Sequence, residues 1–588
     1  MEILHNHIGF RPKSSKIMIV QTGDTPNKDS SLYAELFGIG IEKPLMKLFP
    51  VSSGSVPGWS NRYFYRFDFS MFDEPGSYRF CVHGENKNEY GQPFYISEDI
   101  ADSDMMSDIL FYLKGQRSSG RWDEADRSVP FYGGRQGTVD VHGGWFDASG
   151  DYSKYLSHLS YANYLNPQQI PLTVWVLTQL GEMFARHDVH KGSLLEERAF
   201  EEAWWGADFL MRMQDPEGYF YTTVFDVWNK KSEDRMICAF KTQKGYRLDS
   251  YQAAFRQGGG MAIAALARIA RISRNDIPSD GFTPSECLVA AIKGYRHLLE
   301  HNQEYLDNGK ENIIDCYCAC IAALELLEST NEEFYIKESR SWIEKLAQYY
   351  DDRLKGWKVE IGLDRPFYHA SDSGLIIVAL LRYLSIESDK KRKQPVARIV
   401  ITSIENELER VDSVYNPFGL SRQLVQAVGD KRIRESFFVP HDNESGYWWQ
   451  GENARLASMV CAAHMVGESS LTLMLDAGYD QDAPQRATQL SKRLSQFADA
   501  HFDWILGCNP FDMCMLQGYG RNNPRYELHK PNAPGGICNG ITAGFRDEND
   551  IDFLPSELKG RGDHIWRWGE QWIVHATWFA MALAMRMK

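Results

Sequence analysis

Two carboxylates, those of Asp147 and Asp151, lie four residues apart within residues 143–155, among glycines, small residues and aromatic residues. General acid–base hydrolysis of a glycosidic bond needs carboxyl groups that are held on a tight turn beside aromatic surface of sugar size. Asp and Gly also form ordinary surface turns, so this run alone fits a solvated loop equally well. The two acids are the first candidates for chemistry.

A third carboxylate, Glu570, lies within residues 566–572, a segment that also contains Trp566, Trp568 and Trp572 and that we predict to open the last helix. An apolar surround disfavours the charged form of a carboxyl group, so Glu570 suits a general acid, which must hold its proton. A glutamate at a helix start also interacts favourably with the helix dipole, and this is the structural alternative.

The composition indicates a globular protein and excludes several partners. The 588 residues predict two or more domains, and 43% hydrophobic with 24% charged residues argue against disorder. A net charge of −15 repels phosphate groups, so we expect neither a nucleic-acid partner nor a membrane partner. The first residues lack a secretory pattern and the ten cysteines are scattered, so we expect a reduced, cytoplasmic protein.

Two different periodicities divide the chain near residue 100. Residues 1–100 contain short aromatic or β-branched runs separated by turns, and this pattern predicts an all-β sandwich of immunoglobulin type. Residues 101–588 carry helical apolar spacing and few strand signals, which predicts an all-α domain of helical hairpins. The predicted helices cover residues 108–113, 170–184, 200–213, 261–272, 284–299, 313–327, 333–350, 373–384, 396–408, 452–465, 490–506 and 571–585.

Several further motifs follow one another along the chain. They are residues 6–12, 69–79, 205–214, 504–510 and 518–524. With the two acidic segments, these motifs make the chain resemble glycoside hydrolase family 9, in the subgroup with an N-terminal immunoglobulin-like domain, over nearly its whole length. The resemblance implies an (α/α)6 barrel that hydrolyses β-linked sugars with inversion and requires no cofactor.

The resemblance also implies roles for the three acids. The family pattern Asp-Ala-Gly-Asp supplies the base from its second Asp, whereas this chain reads Asp-Ala-Ser-Gly-Asp, one residue longer. We therefore expect Asp151 to be the general base and Glu570 the general acid, with Asp147 holding the water or facing the substrate instead. Gly569 stands where the family usually has Asn before the acid.

Aromatic and polar residues elsewhere are candidates for contact with the sugar. His529 and Lys530 stand in place of the family's His-His-Arg stretch, and Lys530 lacks the planar fork of an arginine. Trp448 and Trp449 precede a predicted helix and either stack against sugars or fill the core. The complete set of predicted substrate-binding residues is Trp145, Trp448, Trp449, Tyr519, His529, Lys530 and Trp566.

The inserted serine is typical of a particular substrate class. The Asp-Ala-Ser-Gly-Asp variant, together with the β domain, resembles the bacterial exo-β-glucosaminidases of this family, which release glucosamine from the non-reducing end of short β-1,4 oligomers. A protonated 2-amino group needs a carboxylate partner, and Asp147 is available for that role. The alternatives are an endo-β-1,4-glucanase acting on cello-oligosaccharides or soluble glucan, and a catalytically inactive sugar-binding protein. Residues 242–257 and 528–554 are the expected walls of the cleft.

Three other patterns resemble metal or phosphate sites. Residues 297–301 match His-x-x-Glu-His, a zinc-peptidase pattern, but their polar neighbours indicate the end of a surface helix. Cys316, Cys318 and Cys320 alternate along a predicted helix, and we expect them in the core. Residues 258–260 are glycines without the Lys of a phosphate loop. We expect no catalytic metal; the family resemblance is compatible with a structural Ca²⁺, but no loop identifies its ligands.

Overall fold

The computed structural model describes residues 1–23, 32–84, 87–98, 100, 102–162, 164–186, 192–273, 281–446, 448–526, 532–558 and 561–587. The N-terminal part is built of strands. These are β1 (Glu2–Leu4), β2 (Ile17–Thr22), β3 (Tyr33–Gly38), β4 (Met46–Leu48), β5 (Ser52–Gly54), β6 (Tyr63–Asp68), β7 (Gly76–His83), β8 (Asn88–Tyr90) and β9 (Phe94–Ile96). They form two antiparallel sheets with the strand orders β1-β2-β6-β5 and β4-β3-β7-β8, and β9 also pairs with β7.

Alternation of side chains explains this sandwich. Every second residue of β3 is buried, which is the pattern of a strand with one face on a core. The core itself is aromatic, since Phe69, Phe80 and Phe94 contact one another at ring-centroid distances of 5.1 to 5.7 Å. The prediction of an N-terminal β domain is confirmed.

Fourteen α-helices follow among the described residues. They are α1 (Asp102–Gly115), α2 (Arg121–Ala125), α3 (Ile170–Phe184), α4 (Gly192–Arg212), α5 (Gly259–Ile269), α6 (Pro284–His301), α7 (Ile313–Thr330), α8 (Glu333–Ala347), α9 (Leu375–Ile386), α10 (Lys390–Asp412), α11 (Asn453–Asp476), α12 (Ala483–Ile505), α13 (Gly562–Gly569) and α14 (Ile573–Arg586). Their ends carry ordinary signals: at the start of α6, for example, Thr283 and Glu286 form a capping box. No helix in these described ranges is long and apolar enough to cross a membrane.

Six of the helices close into a ring. Helices α3, α5, α7, α9, α11 and α14 contact one another in that order, and α14 returns to contact α3. An outer helix packs on each inner one: α4 on α3, α6 on α5, α8 on α7, α10 on α9, α12 on α11 and α1 on α14. Inner helices such as α5 and α14 are buried on all sides, as their continuous apolar sequences require. The helical part is therefore an (α/α)6 barrel, as predicted.

The connectors between helices are longer at one end of the barrel than at the other, and the candidate acids lie at the end with the long connectors. Five of the inner helices, α3, α5, α7, α9 and α11, are each entered by a longer connector than the one that leaves them, so the long connectors meet at the end where the inner helices begin. Short strands stiffen these connectors. They are β10 (Val129–Pro130), β11 (Thr138–Val139), β12 (Lys154–Tyr155), β13 (Thr223–Phe225), β14 (Met236–Ile237), β15 (Ala239–Lys241), β16 (Tyr246–Leu248), β17 (Tyr350–Asp351), β18 (Gly356–Trp357), β19 (Gln423–Val425), β20 (Arg434–Ser436), β21 (Thr542–Ala543) and β22 (Ile551–Asp552). The candidate acids lie in two of the connectors.

The β domain shares a core with the barrel. Trp59 of the β domain contacts Phe437 and Trp504 of the barrel at centroid distances of 5.2 and 6.3 Å. At the same interface Asn6 donates a hydrogen bond to the buried carboxylate of Asp503 (2.8 Å). Apolar packing of this kind makes the β domain a structural part of the barrel's surface.

Candidate active site

The turn that carries Asp147 and Asp151 is tied at both ends. The Asp151 amide donates to the Ala148 carbonyl (3.2 Å) and closes the turn, while the Asp147 amide donates to the Ser153 carbonyl (3.1 Å). The Asp147 carbonyl accepts a bond from the amide of Ile573, the first residue of α14 (3.1 Å). Both acids are buried, with 4% of Asp147 and 8% of Asp151 exposed.

Three donors hold the carboxylate of Asp151. Its Oδ2 accepts hydrogen bonds from the Tyr155 hydroxyl (2.7 Å) and the Trp228 indole (2.9 Å), and its Oδ1 accepts one from the Ser153 amide (2.8 Å). Burial, together with the charge of Asp226, raises the pKa of Asp151, and the bonds from Tyr155 and Ser153 oppose the rise. The donors thus orient a buried carboxylate and support its charged form, which a general base needs.

Asp147 has a different environment. Its Oδ1 accepts a bond from the indole of Trp572 (2.9 Å), while its Oδ2 lies 3.9 Å from Nε2 of His158. Burial and the neighbouring charge of Asp151 raise the pKa of Asp147 well above its usual value. Because Asp151 accepts more hydrogen bonds than Asp147, it carries the negative charge of the pair more readily. This difference supports Asp151, rather than Asp147, as the base.

Glu570 lies between two helices. The prediction that residues 566–572 open the last helix is wrong, because α13 occupies Gly562–Gly569 and α14 starts only at Ile573. Glu570 follows α13 in an extended conformation (φ −69°, ψ 136°), so the favourable dipole of a helix start does not account for it. Its Oε1 lies 3.4 Å from the hydroxyl of Tyr526, which donates to it. The acid is half-buried at the same end of the barrel as the turn.

Ser149, the additional residue of the turn, joins the two acidic segments. Its amide donates to the carbonyl of Gln571 (2.9 Å), and its hydroxyl accepts a bond from the amide of Gln571 (3.0 Å). We call this reciprocal pair the Ser149–Gln571 clamp. Since Gln571 follows Glu570 directly, the clamp sets the position of the acid relative to Asp151.

Glycine is the only residue type that fits at position 150, beside Glu570. A Cβ atom at this position would lie 2.4 Å from Oε1 of Glu570 and 2.8 Å from the hydroxyl of Tyr526. Real Cβ contacts are not that short, so any side chain would push Glu570 aside. The glycine therefore allows the turn and the acid to approach each other.

A cavity of about 370 Å³ contains all three acids. Its lining comprises Asp147, Ala148, Gly150, Asp151, His158, Leu159, Leu165, Pro167, Trp228, Lys230, Gln243, Ala370, Trp448, Trp449, Gln450, Tyr526, Asn539, Trp566, Glu570 and Trp572. This is the mixture of apolar and aromatic surface with few convergent polar groups that small-ligand sites show. Opposed carboxyl groups in such a cavity can protonate a leaving oxygen and activate a water.

His158 is a site residue that the sequence did not reveal. It lines the cavity, and burial lowers its pKa to about 3, so the ring is uncharged at neutral pH. The Trp448 ring lies 4.6 Å from it in an edge-to-face contact. A single histidine in a sequence carries no spacing pattern, so only the fold could place it beside Asp147.

Trp228 is a second cavity residue that the sequence did not reveal. A segment of strained backbone positions it. Val227, Trp228 and Lys230 have φ values of 60°, 55° and 63°, in the left-handed region that non-glycine residues rarely adopt. Each such residue costs about 1–3 kcal/mol and persists only where its surroundings compel it. Here the strain brings the Trp228 indole onto Asp151 and makes the segment a cavity wall. The expected walls, residues 242–257 and 528–554, contribute Gln243 and Asn539 to the lining.

The predicted sugar contacts divide into three groups. Trp448, Trp449 and Trp566 line the cavity, although Trp449 is also packed on the His441 ring (3.8 Å). His529 and Lys530 lie outside the described residues.

The prediction that Trp145 and Tyr519 contact the sugar is wrong. Trp145 is wholly buried against Gly206 and donates to Glu202 (3.2 Å), so it is a core residue and not a sugar platform. Tyr519 donates to Asp108 of α1 (2.8 Å) and is absent from the cavity lining. In both cases an aromatic residue near the motif serves packing between helices.

The metal-like motifs are accounted for by local structure. His297 bonds the Tyr305 hydroxyl (2.6 Å), and His301 pairs with Glu304 (3.1 Å), at the exposed end of α6. The three cysteines of α7 are buried in the inner ring. Within the described ranges, one group of three potential ligands comes together, formed by Asp147, Asp151 and His158.

Known proteins share both the sequence pattern and the fold. The model of Glycosyl hydrolase family 9 matches residues 103–540. A xyloglucan-specific endo-β-1,4-glucanase of Bacteroides ovatus is 24% identical over 597 residues, covering 92% of this chain and 86% of the relative.

Solved structures of family 9 enzymes have the same fold as this chain. A Bacteroides ovatus family 9 glycoside hydrolase superposes with a TM-score of 0.62 at 18% identity, covering 99% of this chain and 98% of the other. A metagenome-derived family 9 endoglucanase does so with a TM-score of 0.64 at 17% identity and the same coverage. With the family model matching most of the chain and the acids gathered in one cavity, the chain belongs to glycosyl hydrolase family 9 and is a glycosidase.

Proposed function

We propose that this glycosidase is an inverting enzyme that removes single glucosamine residues from short β-1,4-linked oligomers. Glu570 protonates the leaving glycosidic oxygen, while Asp151 takes a proton from the water that attacks the opposite face of the sugar. Inverting pairs of this kind are roughly 6.5–9.5 Å apart, which leaves room for the water. The donors on Asp151 and the clamp next to Glu570 support these two roles.

The substrate proposal rests on Asp147, a third carboxylate in the cavity beyond the acid–base pair. Its Oδ2 faces His158, whose uncharged ring offers a second acceptor. A protonated 2-amino group has three N–H donors and a positive charge, so it matches a carboxylate and an imidazole lone pair together. A neutral 2-hydroxyl group brings no positive charge to pair with Asp147.

The strained wall supports action at a chain end. Trp228 stands in the lining beside the base and packs towards Trp448 at a centroid distance of 5.9 Å. A cavity of about 370 Å³ suits one sugar ring and part of the next better than a long polymer. A bulky, fixed side chain next to the base limits how far a chain can extend past it.

The second candidate is an endo-β-1,4-glucanase. It is favoured by the Bacteroides ovatus relative, which bears a xyloglucan-specific endoglucanase name, and by the endoglucanase among the similar structures. For a neutral glucan, Asp147 would serve to hold the attacking water instead of an amino group.

Parallel hydrolysis of defined oligosaccharides distinguishes these candidates. The β-1,4-linked glucosamine dimer and tetramer, cellotetraose and a xyloglucan oligomer are incubated with wild type, Glu570→Gln and Asp147→Asn, and products are resolved by mass. We expect glucosamine monomer from the amino sugars, with loss of turnover in Glu570→Gln and a selective rise of KM in Asp147→Asn. Internal cleavage of cellotetraose or the xyloglucan oligomer, with the amino sugars intact, would refute the proposal in favour of a glucanase.

The stereochemistry is tested separately. Proton NMR recorded during turnover should show the α-anomer of the product first, because water attacks the face opposite the leaving group. A β-anomer as first product would contradict the inverting mechanism.

A further inference from the structure

Three cation ligands meet in the cavity. One ligand atom from each of Asp147, Asp151 and His158 lies within 4.8 Å of the other two. Only 6% of His158 is exposed, yet its ring makes no hydrogen bond with any residue in the described part of the chain. His158 borders the cavity, and its ring nitrogens are not among the sealed-off polar atoms of the described residues, so they are accessible to a ligand that enters the cavity.

We propose that Asp147, Asp151 and His158 form a Zn²⁺ site whose occupation blocks the catalytic centre. Zinc accepts imidazole nitrogen and carboxylate oxygen together, and three protein ligands leave a fourth position for water from the cavity. Mg²⁺ and Ca²⁺ prefer six or more oxygen ligands, which this mixed group does not supply. The ion inhibits because it occupies the lone pairs with which Asp151 would activate water.

The distances permit one ion to reach all three ligands. An ion at the centre of a triangle with sides of 4.8 Å lies about 2.8 Å from each corner, and zinc bonds to nitrogen and oxygen are about 2.0–2.2 Å long. Each ligand atom would move by less than about 1 Å, within reach of small side-chain rotations. A divalent ion would also offset the repulsion between two buried carboxylates.

A histidine pair that is distant from His158 in sequence serves as a control for zinc binding. His297 and His301 of α6 form the zinc-like motif of the sequence, with ring centroids 4.6 Å apart, and lie at a partly exposed helix end. All ten cysteines are buried, so thiols do not compete for metal in the folded protein. Zinc at His301 and zinc at His158 can therefore be separated by single substitutions.

Isothermal titration of Zn²⁺ into the full-length protein, without sugar, tests the site. We expect one binding event whose affinity falls at least about tenfold in His158→Gln and in Asp147→Asn and is unchanged in His301→Gln. Unchanged affinity in His158→Gln, or loss of binding in His301→Gln, would overturn the proposal. Thermal melting checks that each variant is folded, and if His158→Gln does not fold, the zinc affinity of Asp147→Asn decides between the outcomes.

The expected competition between zinc and substrate rests on the proposed function, whereas the expected binding of zinc to the protein does not. With any substrate that is turned over, zinc should raise KM in wild type and in His301→Gln to the same extent. Zinc binding that follows these variants in a protein that leaves glucosamine oligomers intact would refute the proposed substrate and retain the metal site. Turnover of amino sugars without zinc binding at His158 would refute the metal site and retain the proposed substrate.

Discussion

Replacement of Ser149 by alanine tests whether the Ser149–Gln571 clamp positions Glu570, the proposed general acid. The substitution removes the hydroxyl that accepts the amide of Gln571 (3.0 Å) but leaves the bond from the Ser149 amide to the Gln571 carbonyl (2.9 Å). Gln571 is fully buried, so its amide would lose its acceptor at a cost of about 1–3 kcal/mol. If the clamp holds Glu570 in place during the reaction, the same energy appears as a loss of kcat of about five- to 160-fold.

The assay compares Ser149→Ala with Ser149→Thr and with Ser157→Ala. Ser149→Thr keeps a hydroxyl and should recover most of the lost kcat. Ser157→Ala removes another buried hydroxyl from the same connector, one that bonds the carbonyl of His158 (3.2 Å) and not the clamp. We expect KM of Ser149→Ala to change little. A kcat within twofold of wild type, or an equal loss in Ser157→Ala, would refute the positioning role.

Three further outcomes are expected. Gly150→Ala should lower kcat at least about a hundredfold with little change in Tm, because the new Cβ meets the flexible tip of Glu570 and not backbone; normal turnover would contradict the close approach. Trp228→Phe removes a donor to Asp151, so the pKa of the base should rise further and the acidic limb of the kcat/KM profile should move to higher pH; an unmoved limb would speak against it. Burial raises the pKa of Asp503 to about 7, so its contribution to stability is complete below about pH 4, the pKa of an unfolded Asp, and is lost as pH rises through 7. Differential scanning fluorimetry at pH 5 and pH 8 should therefore show a smaller fall of Tm in Asp503→Asn than in wild type, and equal falls would show that this carboxyl is not involved.

The sequence predicted those parts of the molecule that depend on local pattern. The inner helix α3 was predicted with its observed bounds, because its apolar residues recur at helical spacing. Asp147, Asp151 and Glu570 were predicted as the catalytic acids because small residues and tryptophans surround them in the sequence, and all three line one cavity. The division near residue 100 followed from the change of period between strands and helices.

Other features depend on contacts across the chain and had no local signal. Trp228 reaches Asp151 only through a left-handed backbone that its own sequence does not favour. His158 acquires its role from a neighbour brought to it by folding. Trp145 looked like part of a sugar platform, but the missing side chain of Gly206, in α4, makes space for it in the core. The separate helix α13 at Gly562–Gly569 was not predicted, because the last predicted helix began only at residue 571.

The ring closes late, and this ties catalytic competence to the end of folding. The hydrogen bond from Trp572 to Asp147 spans 425 residues of chain, and α14 is the last of the six inner helices to leave the ribosome. A nascent protein with five inner helices can have native secondary structure and an assembled β domain while it still lacks Glu570, the proposed general acid. Contacts so distant in sequence form slowly. During refolding, hydrolysis should therefore recover after the helical signal, which makes enzyme activity a reporter of barrel closure rather than of helix formation.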